Sequence, residues 1–98
     1  MYNAPLKDIR FVLNHVVDIN AVTADIGRAD DITPDLVDAV LTEAGKLAAD
    51  VLAPINHSGD MQSSVHHSDG RVETPKGFAE AYRALGEGGW TAMEAHED

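Results

Sequence analysis

The sequence predicts a mainly α fold: a small helical domain of three main helices with a short surface β-hairpin. Three observations carry that prediction. Fourteen of the 98 residues are alanine and only five are aromatic, a mixture that favours helices. Large apolar residues recur at helical spacing in three separate stretches. Two Thr-Pro pairs, Thr33-Pro34 and Thr74-Pro75, stand where helices would begin.

The length suits one domain over residues 1–98, and a chain of this size buries only roughly 60 to 65% of its unfolded surface. The first helix is expected over about 5–20. Leu6, Ile9, Val12, Leu13, Val16, Val17 and Ile19 form one arc of its wheel, with Lys7, Arg10, Asn14 and Asp18 opposite. Phe11 breaks the pattern by falling within the polar face. A single exposed aromatic is ordinary in a folded protein; the sharper reading makes Phe11 an interface residue that docks on another domain or subunit. From Asn20 to Asp31 no period is sustained, so a helix end and a loop around Gly27 are expected, with helix reaching Ala24 at most.

The second helix is expected over about 34–55. Thr33 supplies the N-cap, Pro34 occupies a position that needs no amide hydrogen bond, and Asp35 faces the positive end of the helix dipole. Its apolar positions, from Leu36 and Val37 to Leu52 and Ile55, span an arc too broad for one neighbour, which predicts packing on two sides. Pro54 ends or kinks this helix, and Asn56-His57-Ser58-Gly59-Asp60 reads as turn chemistry.

A hairpin is expected over about 64–73, turning at Asp69-Gly70 between short polar arms. The third helix is expected over about 75–87, started by Thr74-Pro75, with Phe78, Ala81, Tyr82 and Leu85 on one face and Gly86, Gly88 and Gly89 closing it. Trp90 follows the glycines as a second interface candidate. Residues 91–98 read as a frayed tail, in which Glu94, Glu97 and Asp98 are solvated charge.

Several function classes fall away. The formal net charge is −10, and every third of the chain is acidic, so no basic stripe exists to bind nucleic acid or an anionic membrane. The absence of cysteine excludes disulfides and thiolate chemistry and fits a reducing compartment. Met1 to Val12 lacks the pattern of a signal peptide, and no stretch approaches the roughly 20 apolar residues of a membrane helix. A soluble cytoplasmic protein is the expected class.

The residues that could carry chemistry do not assemble into a site. His66 and His67 would point to opposite faces of a strand, which opposes a shared metal ion. His15 and His57 stand alone, and His96 lies in the tail. Gly86-Glu87-Gly88-Gly89 closes a helix, whereas a phosphate loop opens one. The carboxylates, including Asp30-Asp31, form no pair picked out by spacing. The residues therefore predict no catalytic, cofactor-binding or metal-ligating position.

Taken in order, Ala4-Pro5-Leu6-Lys7-Asp8-Ile9-Arg10-Phe11-Val12-Leu13, Thr33-Pro34-Asp35-Leu36-Val37-Asp38-Ala39-Val40-Leu41, Val51-Leu52-Ala53-Pro54-Ile55-Asn56, the hairpin, and Thr74-Pro75-Lys76-Gly77-Phe78 through Trp90 make a recognisable series. It resembles the N-terminus of FAD-dependent acyl-CoA dehydrogenases, in particular the bacterial branch with an extra N-terminal helix. The resemblance covers nearly the whole chain and rests on the order of motifs more than on any one of them. In that family a glutamate removes the α proton of an acyl-CoA thioester while the β hydride passes to flavin N5.

The resemblance implies that the flavin site and the glutamate base belong to a middle β domain and a C-terminal bundle. None of Glu43, Glu73, Glu80, Glu87, Glu94 or Glu97 inherits the role of base. The chain is then expected to be the opening of a longer protein: a designed domain, a proteolytic remnant or a truncated reading frame. It would bind no cofactor alone, FAD belonging to the parent enzyme. Its partners would be the rest of that enzyme or another copy of itself, and a homo-oligomer is expected because cut apolar surfaces are reburied by self-association. The alternative is a free-standing acidic helical module for protein-protein interaction.

Overall fold

The computed structural model describes residues 1–96. The fold is mainly helical with a small antiparallel hairpin, and the chain divides into two compact units, Met1–Asp50 and Val51–Asp98. Among the described residues no helix is long and apolar enough to cross a membrane.

The first unit opens with α1, Leu6–Phe11, which runs directly into a π-helical segment, Val12–Val16. Val17 donates its amide to the Val12 carbonyl at 3.0 Å, five residues back. Helical hydrogen bonding stops at Asp18, a non-glycine residue in the left-handed region at φ 51°. Asp18 is the N-cap of a new helix, α2, Ile19–Asp25, its carboxylate accepting from the Ala21 amide at 3.3 Å. The stretch expected as one helix to about residue 20 is thus two, because Asp18 offers the backbone a cap in place of another helical turn. After Ile26 a Schellman arrangement closes α2, with Gly27 at φ 71°. The Gly27 amide bonds to Ala24 and that of Arg28 to Thr23.

Thr33 then caps α3, Pro34–Leu47: its backbone is extended and its hydroxyl accepts from the Leu36 amide at 3.2 Å, with Pro34 in the first turn. α1 packs on α3 where Gly45 admits the Leu6 side chain. A Cβ on Gly45 would lie 3.1 Å from Leu6 Cδ1. The Arg10 guanidinium adds a polar clasp between the two helices, pairing with Asp38 and donating to Thr42 Oγ1 at 3.0 Å.

After α3 the chain passes through a second π segment, Ala48–Leu52, and the second unit then contains α4, Ala53–Gln62. The turn expected over Asn56–Asp60 is instead helical. Pro54 does not end the helical run: it lies in the first turn of α4, and the π segment leads into it through Leu52, itself in the right-handed helical region. Gly59 is in the helix because of what it touches: it is buried, and a Cβ there would lie 2.5 Å from Phe78 Cε1 and 2.6 Å from Cζ.

The hairpin pairs β1, Val65–His66, with β2, Val72–Glu73, in the register Val65 to Glu73 and His66 to Val72. Its loop takes three residues. Gly70 donates to the His67 carbonyl at 3.0 Å and His67 to the Arg71 carbonyl at 2.8 Å, and of the Asp69-Gly70 pair only Gly70 has positive φ. This is the type I turn with a following left-handed glycine, a longer solution than the two-residue turn.

α5 runs over Phe78–Glu87 and starts later than its Thr-Pro signal suggests. Pro75 is buried, the Lys76 amide is taken by Gln62 Oε1 at 3.0 Å, and Gly77 turns left-handed at φ 92° against Ile55. These contacts consume the residues that would have formed the first turn. Beyond Gly89, Trp90–Ala92 form a short 3₁₀ turn, and the Ala95 amide bonds to Ala92 at 3.0 Å. Glu97 and Asp98, the end of the expected frayed tail, lie outside the described residues.

The packing is thin. Ala81 at 6% exposure and Thr23 at 5% are buried, and among the described residues no large side chain is fully enclosed. The chain exposes 7720 Å², whereas two separate compact bodies of half its mass would together expose about 6,500 Å². The excess therefore belongs to the units themselves.

Candidate functional site

The most distinctive surface in the first unit grows from the helical phase of α1 and the π segment after it. Leu6, Ile9 and Leu13 are half-buried, Leu6 on Gly45. The other part of the apolar arc is open: Val12, Val16 and Val17 are 45%, 66% and 51% exposed. Phe11, at 60% exposure, adjoins them. Its ring stands 5.2 Å from that of His15 at an interplanar angle of 48°, the contact expected of residues four apart on a helix. Phe11, Val12, His15 and Val16 thus share one exposed face, three of them apolar.

Reading the arc on an ideal wheel singled out Phe11 and placed the valines with Leu6, Ile9 and Leu13 in one apolar arc. The signal that separates them is structural: α3 covers one side of the arc, and the π segment changes the angular step after Phe11. In the second unit Trp90 is half-buried, and its indole lies over Gly88, where a Cβ would be 2.8 Å from Cδ1 and Nε1. Tyr82, Met61 and Met93 are exposed by 71%, 72% and 65%. Phe11 thus borders exposed apolar surface in its own unit, whereas the contact given for Trp90 is with Gly88.

Two clefts of the first unit bear on ligand binding. One, of about 70 Å³, is bordered by Arg10, Leu13, Ile19, Val37 and Asp38. The other, about 310 Å³ and shallow, is bordered by Asn3, Leu6, Thr42, Gly45, Lys46 and Asp50. At its margin Lys46 Nζ is 2.7 Å from Glu43 Oε1. That hydrogen bond, with the attraction of the carboxylate charge, holds the ammonium above its ordinary pKa, which makes Lys46 a firm cation and a poor base. The narrower cleft is too small for more than water, and the wider one is too shallow to enclose a ligand.

In the hairpin, His67 Nε2 contacts Glu73 Oε2 at 3.0 Å, while His66 is paired across the ladder with Val72. Asp69 is held by residue 71. Its Oδ1 accepts from the Arg71 amide at 3.0 Å and its Oδ2 from Arg71 Nε at 2.9 Å, and these bonds, the backbone one first, lower its carboxyl below the usual range. Among the described residues no group of three or more histidines and carboxylates is placed to hold a metal ion.

No family model matches the sequence. Over 92 residues, 94% of its length, the chain is 30% identical to the 3-methylmercaptopropionyl-CoA dehydrogenase of Ruegeria pomeroyi. It spans 15% of that protein's length. The chain is therefore similar to one part of an acyl-CoA dehydrogenase.

Proposed function

We propose that this chain is the N-terminal helical domain of an FAD-dependent acyl-CoA dehydrogenase, inactive in isolation, whose role is to pack against the remainder of the enzyme and wall one side of its substrate cleft. The observation that carries the reading is the match of nearly the whole chain to a small fraction of one such enzyme. Its N-terminal place rests on the motif series from Ala4 to Trp90. The acyl group named for the relative is one candidate for the parent's substrate, and the parent is assigned to the cytoplasm in keeping with the cysteine-free sequence.

The two clefts described in the first unit, at about 70 and 310 Å³, do not suit FAD, and among the described residues no glycine-rich loop opens a helix toward them. By the family resemblance, the flavin and the base are assigned to the rest of the parent. What this chain offers is apolar surface: Phe11 with Val12 and Val16 in one unit, and exposed Tyr82, Met61 and Met93 together with half-buried Trp90 in the other. These surfaces are assigned to the remainder of the parent or, in the isolated chain, to a second copy.

The test has two arms. The purified chain should show no flavin absorbance near about 450 nm and no acyl-CoA-dependent dye reduction; either signal overturns the inactivity. Coding DNA that continues beyond Asp98 into a glycine-rich flavoprotein sequence supports the domain assignment. A native stop codon there favours the free-standing interaction module instead. Light scattering at about 100 μM should give a mass above that of the monomer, in the range where weak association is visible.

A further inference from the structure

The tip of the hairpin carries a pair of residues with chemistry of its own. In an Asp-Gly sequence the glycine nitrogen can attack the carboxyl carbon of the aspartate, since no Cβ on glycine obstructs the approach. The new N–C bond closes a five-membered imide while one carboxyl oxygen leaves as water. Water then opens the imide at either carbonyl, restoring aspartate or leaving the chain running through the side-chain carbon as isoaspartate. One water is lost and one regained, so mass is unchanged and no oxidant or reductant is needed.

The reaction requires a carboxyl carbon free to reach the glycine nitrogen, an acid in its neutral form, and an amide proton free to leave. The hairpin opposes each of these. Both Asp69 oxygens are engaged by residue 71, Oδ1 by the Arg71 amide at 3.0 Å and Oδ2 by its Nε at 2.9 Å. The Gly70 amide is committed to the His67 carbonyl at 3.0 Å. The carboxyl of Asp69 is also held below its ordinary range by the same bonds, which keeps it ionised and a poor electrophile.

We propose that Asp69-Gly70 is a latent isomerisation site that Arg71 keeps closed by holding the Asp69 carboxylate with its amide and guanidinium. The protection is local. The side chains of Arg71 and Asp69 are 72% and 58% exposed, and the bonds that hold the site come from the loop itself, from Arg71 to the carboxylate and from the His67 carbonyl to the Gly70 amide. Isomerisation would insert one more backbone carbon into a three-residue loop and dislodge the pairing of His67 with Arg71 that closes it.

The full chain, aged at neutral pH and physiological temperature, tests this. Isoaspartate is counted by enzymatic methylation and by chromatographic separation of the digested hairpin peptide. Arg71→Ala should isomerise several-fold faster than wild type. Arg71→Lys, which keeps the charge and the backbone amide but not the Nε contact, should fall between them. A wild-type rate in Arg71→Ala, or a rate in Arg71→Lys equal to either of the others, overturns the proposal. NMR contacts between His66 and Val72 report whether the hairpin survives: acceleration with the hairpin intact supports the hold by Arg71, and acceleration only where the hairpin is lost overturns it.

Discussion

Replacing Gly59 by alanine should destabilise the second unit, although alanine is the better helix former. Gly59 lies within α4, so the exchange alone would favour folding by about 0.5–1 kcal/mol. Against this stands the Phe78 ring, with Cε1 and Cζ 2.5 and 2.6 Å from where the new methyl would sit. These separations lie far inside van der Waals contact, and overpacking of this kind costs about 1–3 kcal/mol. Phe78 is 39% exposed, so its ring can swing toward solvent, which places the penalty in the middle of that range. The expected net loss is about 0.5–2 kcal/mol. Urea unfolding followed by fluorescence of Trp90, the sole tryptophan, reads the unit directly. If the steric account is right, Gly59→Ala in a Phe78→Leu background should lose much less, giving a coupling of about 0.5–3 kcal/mol in the double-mutant cycle. Gly59→Ala matching or exceeding wild-type stability, or an equal loss in both backgrounds, would refute the reasoning.

Other substitutions follow the same logic. Thr33→Ala removes the hydroxyl that accepts from the Leu36 amide and should lower stability by about 1 kcal/mol in thermal unfolding. Gly77→Ala forces an L residue to φ 92° and sets its Cβ 2.8 Å from Ile55 Cγ2, for a loss of at least about 1–2 kcal/mol. Gly86→Ala meets nothing within 4 Å and should be neutral or stabilising by up to about 1 kcal/mol. The hairpin should weaken in acid. Asp69 has a lowered folded pKa, so its contribution is full above its unfolded value, about 3.9, and is lost as pH falls through the lower folded value. Amide chemical shifts of Gly70 and Arg71 in an acid titration should move in that window, and Arg71→Ala should move the transition up toward the ordinary carboxylate range.

Local capping was the most legible layer of the sequence. Thr33-Pro34 starts a helix because its side chain, its ring and the following acid all favour the same geometry. Asp69-Gly70 likewise marks a turn that glycine alone can complete. Less legible were positions whose conformation is set by a distant residue. Gly59 read as a breaker, yet it lies in a helix against Phe78; Thr74-Pro75 read as a cap, yet Gln62 and Ile55 claim the residues that follow. Asp18 was obscured by the apolar period running through it. At the candidate surface Phe11 stood out because it violated the pattern, whereas Val12, Val16 and Val17 obeyed it. Periodicity reports which side of a helix is apolar and is silent on how much of that side a neighbour covers.

The π segment over Val12–Val16 has a consequence for lineage as well as for geometry. An α turn becomes a π turn when one residue is added without lengthening the helix on either side, and the added residue offsets the phase of the rest of that helix, here as far as Val17. A relative that lacks the extra residue would show a one-position gap inside 12–16, with Phe11 and the residues before it in one reading phase and the residues from the gap to Val17 in another. Removing a single residue there should rotate the exposed valines away from Phe11 and dissolve the shared face, with the chemical composition of the helix left almost untouched.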